Sequence, residues 1–148
     1  MFWLDFLVFL FACMAAGLTG SLFPPGEWYS ELNKPVWTPP NWVFPVAWPI
    51  LYLLMSYSGA TLANLESAGS ALALWALQIS LNTLWTPVFF GLKNLKLGLI
   101  IIILLLVSVA ICTYVFWLYA WISGLLFLPY LAWVVFAAAL NAAVFKLN

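Results

Sequence analysis

The chain has 148 residues, 68% of them hydrophobic and 5% charged, with a formal net charge of zero. A soluble domain carries about 25% charged residues, so the composition excludes one, and the lack of a basic patch excludes a nucleic-acid partner. Histidine is absent and every basic residue is a lysine. The commonest general base and metal ligand is therefore missing, and neither a metal site nor a cofactor is expected.

A helix needs about 20 apolar residues to cross a bilayer, and the sequence offers five such stretches, at about 2–23, 43–64, 68–91, 95–118 and 121–145. Unbroken apolar runs such as Leu99–Val107 exclude the alternation of a membrane barrel. The expected fold is all-α: one membrane domain over residues 1–148, an integral bundle of five transmembrane helices. Its long first loop, about 24–42, is read as a lid.

The first stretch carries Asp5 where a cleavable signal would be basic, so it reads as a retained helix. The connection after it runs into LNKPVWTPPNWVFPVAW, residues 32–48, which holds four prolines and three tryptophans. A long connection inside a compact domain is usually functional. In the second stretch Trp48, Tyr52 and Met55 share a helix face. Pro45 and Pro49 fall in its first turns, where missing amide donors matter least.

The third stretch has two faces. Gly69, Ala73, Ala76 and Ser80 form a small-residue stripe, which suits close helix packing within the chain or a homodimer seam. Gln78, Asn82 and Trp85 lie opposite. Polar side chains at membrane depth avoid lipid, so this face is expected to point inward. The fourth stretch is strongly apolar and holds Cys112; with Cys13 in the first, the two cysteines form no paired motif. In the fifth, Pro129 precedes a face of Tyr130, Trp133, Ala137 and Asn141. Trp3, Trp117 and Trp121 stand near span ends, where interfacial tryptophans collect.

With five alternating spans, Lys34, Lys93, Lys96 and Lys146 all fall on one side. The positive-inside rule makes that side cytoplasmic, with the N-terminus outside. Trp48, Tyr52, Asn82, Trp85, Trp133, Ala137 and Asn141 then fall in one layer, ~5–18 Å below that surface at 1.5 Å per residue. The 24–42 connection lies over it. An aromatic cavity with a few polar groups suits a flat, largely apolar ligand, with Glu27, Glu31 and Lys34 near its rim.

Further residues carry a family resemblance over nearly the whole chain. They are Trp28-Tyr29, Leu32-Asn33-Lys34-Pro35, Trp37-x-Pro39-Pro40-x-Trp42-x-Phe44 and Trp48-x-x-Leu51-Tyr52-x-x-Met55. The run Leu81–Gly91, Pro129–Trp133 and Leu140-Asn141 complete the set. In these motifs the chain resembles the TspO/MBR family of tryptophan-rich sensory and translocator proteins. The resemblance implies a five-helix bundle, commonly a homodimer, in a membrane that is here expected to be the bacterial cell membrane. It implies a receptor or carrier that binds porphyrin-like tetrapyrroles and other flat apolar molecules. By motif position it assigns the pocket to Trp48, Tyr52, Asn82, Trp133 and Ala137, with Tyr29 and Pro39 from the lid. Trp85 joins them from the helix phasing above.

Two other functions fit the same residues. One is light-dependent degradation of protoporphyrin, for which the resemblance implicates Trp48 and Trp133. The other is a dimeric stress-sensing scaffold built on the stripe. The family's sterol motif needs a central Tyr where this chain has Ala142, ahead of Lys146, which argues against cholesterol.

Overall fold

A computed structural model describes all residues, 1–148. It is wholly helical: α1 Phe2–Leu22, α2 Gly26–Glu31, α3 Val43–Ala63, α4 Gly69–Thr86, α5 Leu95–Tyr119 and α6 Trp121–Leu147, with a π-helical turn at Pro87–Gly91. The long helices close into a ring in which α1 packs on α3 and α4, α6 packs on α3 and α5, and α4 packs on α5.

Four of them, α1, α3, α5 and α6, are long and apolar enough to cross a membrane. The fifth, α4, falls short of that measure because its 18 residues include Ser70, Gln78, Ser80, Asn82 and Thr83. The outer surface is apolar throughout, with Leu7, Phe11, Leu18, Ile103, Val107 and Ile111 all exposed. Water does not tolerate so continuous a patch, and this is an integral membrane protein.

The interior is packed with large side chains. Met55, Leu105, Val109, Phe116, Phe127, Tyr130 and Val134 are buried, and Phe116 and Phe127 meet edge to face with centroids 4.8 Å apart. Only Ala120 separates α5 from α6, and the two helices stay close. A β-carbon on Gly124 would stand 2.7 Å from the Trp117 Cα.

The two ends of the bundle differ. Asp5 accepts a hydrogen bond from Asn64 at 2.9 Å, and Ser70 and Tyr119 meet at 3.1 Å, at one end. The other end gathers the α1–α3 connection, the α4–α5 turn and the end of α6. There Asn33 and Asn148 exchange two hydrogen bonds, and Phe23 lies against Gly91. All four lysines belong to this second end.

Two expectations on element boundaries are corrected. The third stretch is not one α-helix through residue 91. Pro87 has no amide proton to continue the ladder, and the chain widens into a π turn closed by the Leu92 amide on the Pro87 carbonyl at 2.9 Å. The 24–42 connection is not loop throughout. After Pro24-Pro25, Gly26 turns the chain with a φ of 62° and opens α2. The Lys34 ammonium ends that helix by donating to the carbonyls of Tyr29, Ser30 and Leu32, where a cation is favoured by the helix dipole. It also lies 4.5 Å from the Tyr29 ring centre.

Candidate ligand cavity

A cavity of about 550 Å³ opens inside the lysine-bearing end of the bundle. Its volume falls in the range of small-molecule sites. The helix faces that the sequence phases inward supply its walls: Trp48 and Tyr52 from α3, Asn82 and Trp85 from α4, Trp133, Ala137 and Asn141 from α6. Tyr29 reaches it from α2.

The aromatic side chains form a continuous lining. Trp48 meets Tyr52 at 5.5 Å and Trp133 at 6.3 Å between ring centres. Phe44 lies edge-on to Trp133 at 5.8 Å. Across the cavity Trp85 stacks on Phe89 at 4.9 Å with 22° between planes. Tyr29 packs edge-on against Phe90 at 5.4 Å. Burial on these rings holds the Tyr29 phenol above its ordinary value of 10.0.

Polar side chains are interspersed among these rings, and several are already oriented. Asn82 donates to the Tyr130 hydroxyl at 3.0 Å, which fixes its amide plane and leaves its carbonyl oxygen for a ligand. Trp85 donates to the Asn141 carbonyl oxygen at 3.3 Å, and Asn141 donates to the Ala137 carbonyl at 3.0 Å. The Trp133 indole N–H is buried with no acceptor in the protein. No group of metal-ligating side chains is present, so the chemistry on offer is aromatic stacking with a few hydrogen bonds.

One residue assigned to the pocket, Pro39, lies elsewhere, and two inward-facing neighbours of the site, Met55 and Gln78, fall outside it. Pro39 is half-buried in the connection and does not line the cavity. Met55 and Gln78 have the right helix face but lie one turn too deep. Met55 is in the core, where its carbonyl accepts the Trp75 N–H at 3.1 Å, and Gln78 is fully buried with both amide atoms unpaired. The small-residue stripe is not buried within its own chain: Gly69, Ala73, Ala76 and Ser80 are all exposed on α4. Trp37 packs on Phe136 of α6 at 5.7 Å, whereas Trp42 is exposed.

Sequence reasoning missed the α1 wall, made by Ala16, Gly17, Thr19, Gly20, Ser21 and Phe23. Its signal was the run of small residues in the second half of that helix. Ile102 and Leu105 of α5 also line the cavity, and nothing distinguishes them from their apolar neighbours in sequence.

The TspO/MBR family profile matches residues 9–147. The chain belongs to the TspO/MBR family. It is 52% identical to Protein CrtK of Rhodobacter capsulatus, over 97% of this chain and 92% of that protein. It is 47% identical to the tryptophan-rich sensory protein of Cereibacter sphaeroides, over 99% and 92%. The human translocator protein is 34% identical, over 99% and 91%. The family's bacterial and mammalian members thus align over almost the whole bundle, cavity walls included.

Proposed function

We propose that this TspO/MBR protein is a membrane receptor or carrier for flat, largely apolar ligands of the tetrapyrrole type. The observation that carries this reading is the aromatic cavity of about 550 Å³ beneath the first connection. Indole and phenol rings offer faces for a conjugated ring system, and Asn82 and the unpaired Trp133 N–H supply orienting polar groups. In this reading α4 is the fifth membrane-crossing helix, sheltered from lipid on its polar face by the bundle. The first connection is the lid, and the lysine-bearing end is cytoplasmic.

Quenching of tryptophan fluorescence by protoporphyrin, titrated in detergent or nanodiscs, tests the proposal. Trp48→Phe and Asn82→Ala should each weaken binding about 5- to 30-fold, the equivalent of ~1–2 kcal/mol. Unchanged affinity in both variants rules out this pocket. Because the chain has no histidine for haem iron, metal-free porphyrin should bind at least as tightly as haem.

The Trp48–Trp133 pair, 6.3 Å between ring centres, favours a second reading: light-dependent oxygenation of bound porphyrin. In it an indole lends an electron to the excited ring, the ring passes it to dioxygen, and the superoxide adds to the ring as the electron returns to the indole, so that porphyrin and dioxygen are the net reactants. Product that still forms in light after Trp48→Phe and Trp133→Phe excludes it. The exposed stripe on α4 supports a homodimer in either case.

A further inference from the structure

We infer that the cavity exchanges its ligand sideways with the bilayer, through a gap between the second half of α1 and the first turns of α3. Its ligand class is therefore the membrane-dissolved flat amphiphile rather than a water-borne molecule. This rests on the ligand-binding reading above and adds the phase from which the ligand comes.

α1 and α3 are tightly joined over their other halves. Phe2 packs on Tyr57 at 5.0 Å, Phe9 lies against Gly59, Ser56 donates to Cys13 at 3.7 Å, and Gly17 is pressed on Tyr52. No hydrogen bond or aromatic pair joins residues 18–23 of α1 to residues 41–49. Gly20, Ser21 and Phe23 on one side, and Asn41, Pro45 and Pro49 on the other, line the cavity and are all exposed. A β-carbon on Gly20 would touch nothing within 4 Å.

Side-chain contacts close the approaches above the cavity and along α6. Above the cavity the connection is tied to α6 by two hydrogen bonds between Asn33 and Asn148, of 3.0 and 2.9 Å. Tyr29 is seated on Phe90, with Lys34 over its ring. Phe44 and Trp48 on Trp133 wall the α3–α6 side, and the Trp85–Asn141 hydrogen bond ties α4 to α6. Gly20 and Pro49 lie ~3–9 Å in from their helix ends at 1.5 Å per residue. That is the level where a bilayer passes from headgroups to acyl chains. An amphiphile resting there has its ring system beside the gap, with the Asn41 and Ser21 side chains near its polar substituents.

The test uses the full chain in lipid nanodiscs, with protoporphyrin supplied from the lipid phase and exchange followed by stopped-flow quenching. Gly20→Trp fills the gap. It should slow both association and dissociation about tenfold, a barrier increase near 1.4 kcal/mol. Ser21→Trp provides a second plug should the first misfold. Asn33→Ala, which breaks the tie to α6, should leave the rates within about twofold. Unslowed exchange in both plugged variants, or exchange accelerated by Asn33→Ala, would place the route under the lid and overturn the proposal.

A second readout needs no reversible ligand. Ala137→Cys puts a thiol on the far cavity wall, while Cys13 and Cys112 stay buried. A pyrene maleimide dissolved in the bilayer should label it, and adding Gly20→Trp should slow the labelling. If protoporphyrin fails to bind the unaltered protein, the tetrapyrrole reading fails, and the labelling comparison still decides whether the gap admits lipid-phase molecules.

Discussion

Asn82 shows how a single side chain serves both the fold and the site. Its amide donor is spent on the Tyr130 hydroxyl, so Tyr130→Phe leaves the asparagine in place but frees its rotation. Loss of one such bond is worth ~1 kcal/mol. Tyr130→Phe should thus weaken protoporphyrin binding several-fold in a fluorescence titration, with less effect than Asn82→Ala. Tyr29 gives a pH signature. Its phenol is raised above 10.0 by burial, so the closed connection holds its proton more tightly than an open one. The sign follows: the contribution to closure is fully present below the ordinary value and is lost as pH rises through the alkaline range. If the connection is the proposed lid, protection of residues 26–34 from proteolysis should fall there, and Tyr29→Phe should remove the dependence.

At the scale of elements, two local features set the geometry. The π turn at Pro87–Gly91 places Phe89 against Trp85 and Phe90 under Tyr29. In Pro87→Ala the amide ladder can continue as α-helix, which rotates everything after it by a different angle per residue. Protoporphyrin affinity should fall by about threefold or more, with helix content by circular dichroism unchanged. The α5–α6 hairpin is the second. A β-carbon on Gly124 would stand 2.7–2.8 Å from backbone atoms of Trp117, so no side-chain rotation can make room. Gly124→Ala should cost ~1–3 kcal/mol through forced separation of the helices, seen as a lower melting temperature in detergent.

The whole molecule presents an apolar exterior around a cavity confined to one end. The exposed Gly69, Ala73, Ala76 and Ser80 stripe allows two copies to bring α4 helices close. On the proposed homodimer, Ala73→Leu should reduce the dimer fraction measured by crosslinking in membranes while the monomer stays folded, since that position is exposed. An undiminished dimer would move the interface to another face.

The sequence by itself determined the class of fold, the helix faces and the layer of the site. Length and hydropathy set the helices, and the 3.6-residue period put Trp48 with Tyr52, Asn82 with Trp85, and Trp133 with Ala137. These are local properties of one helix, so they can be read without its neighbours. Only the tertiary structure decided where the cavity ends. Met55 and Gln78 share the phased faces but fall beneath its floor, because depth is set by which side chains on facing helices meet. The α1 wall likewise needed the fold. Gly20 and Ser21 carry no chemical signal, and they matter through the space they leave on the cavity wall. A small residue is informative only once its partner across the gap is known.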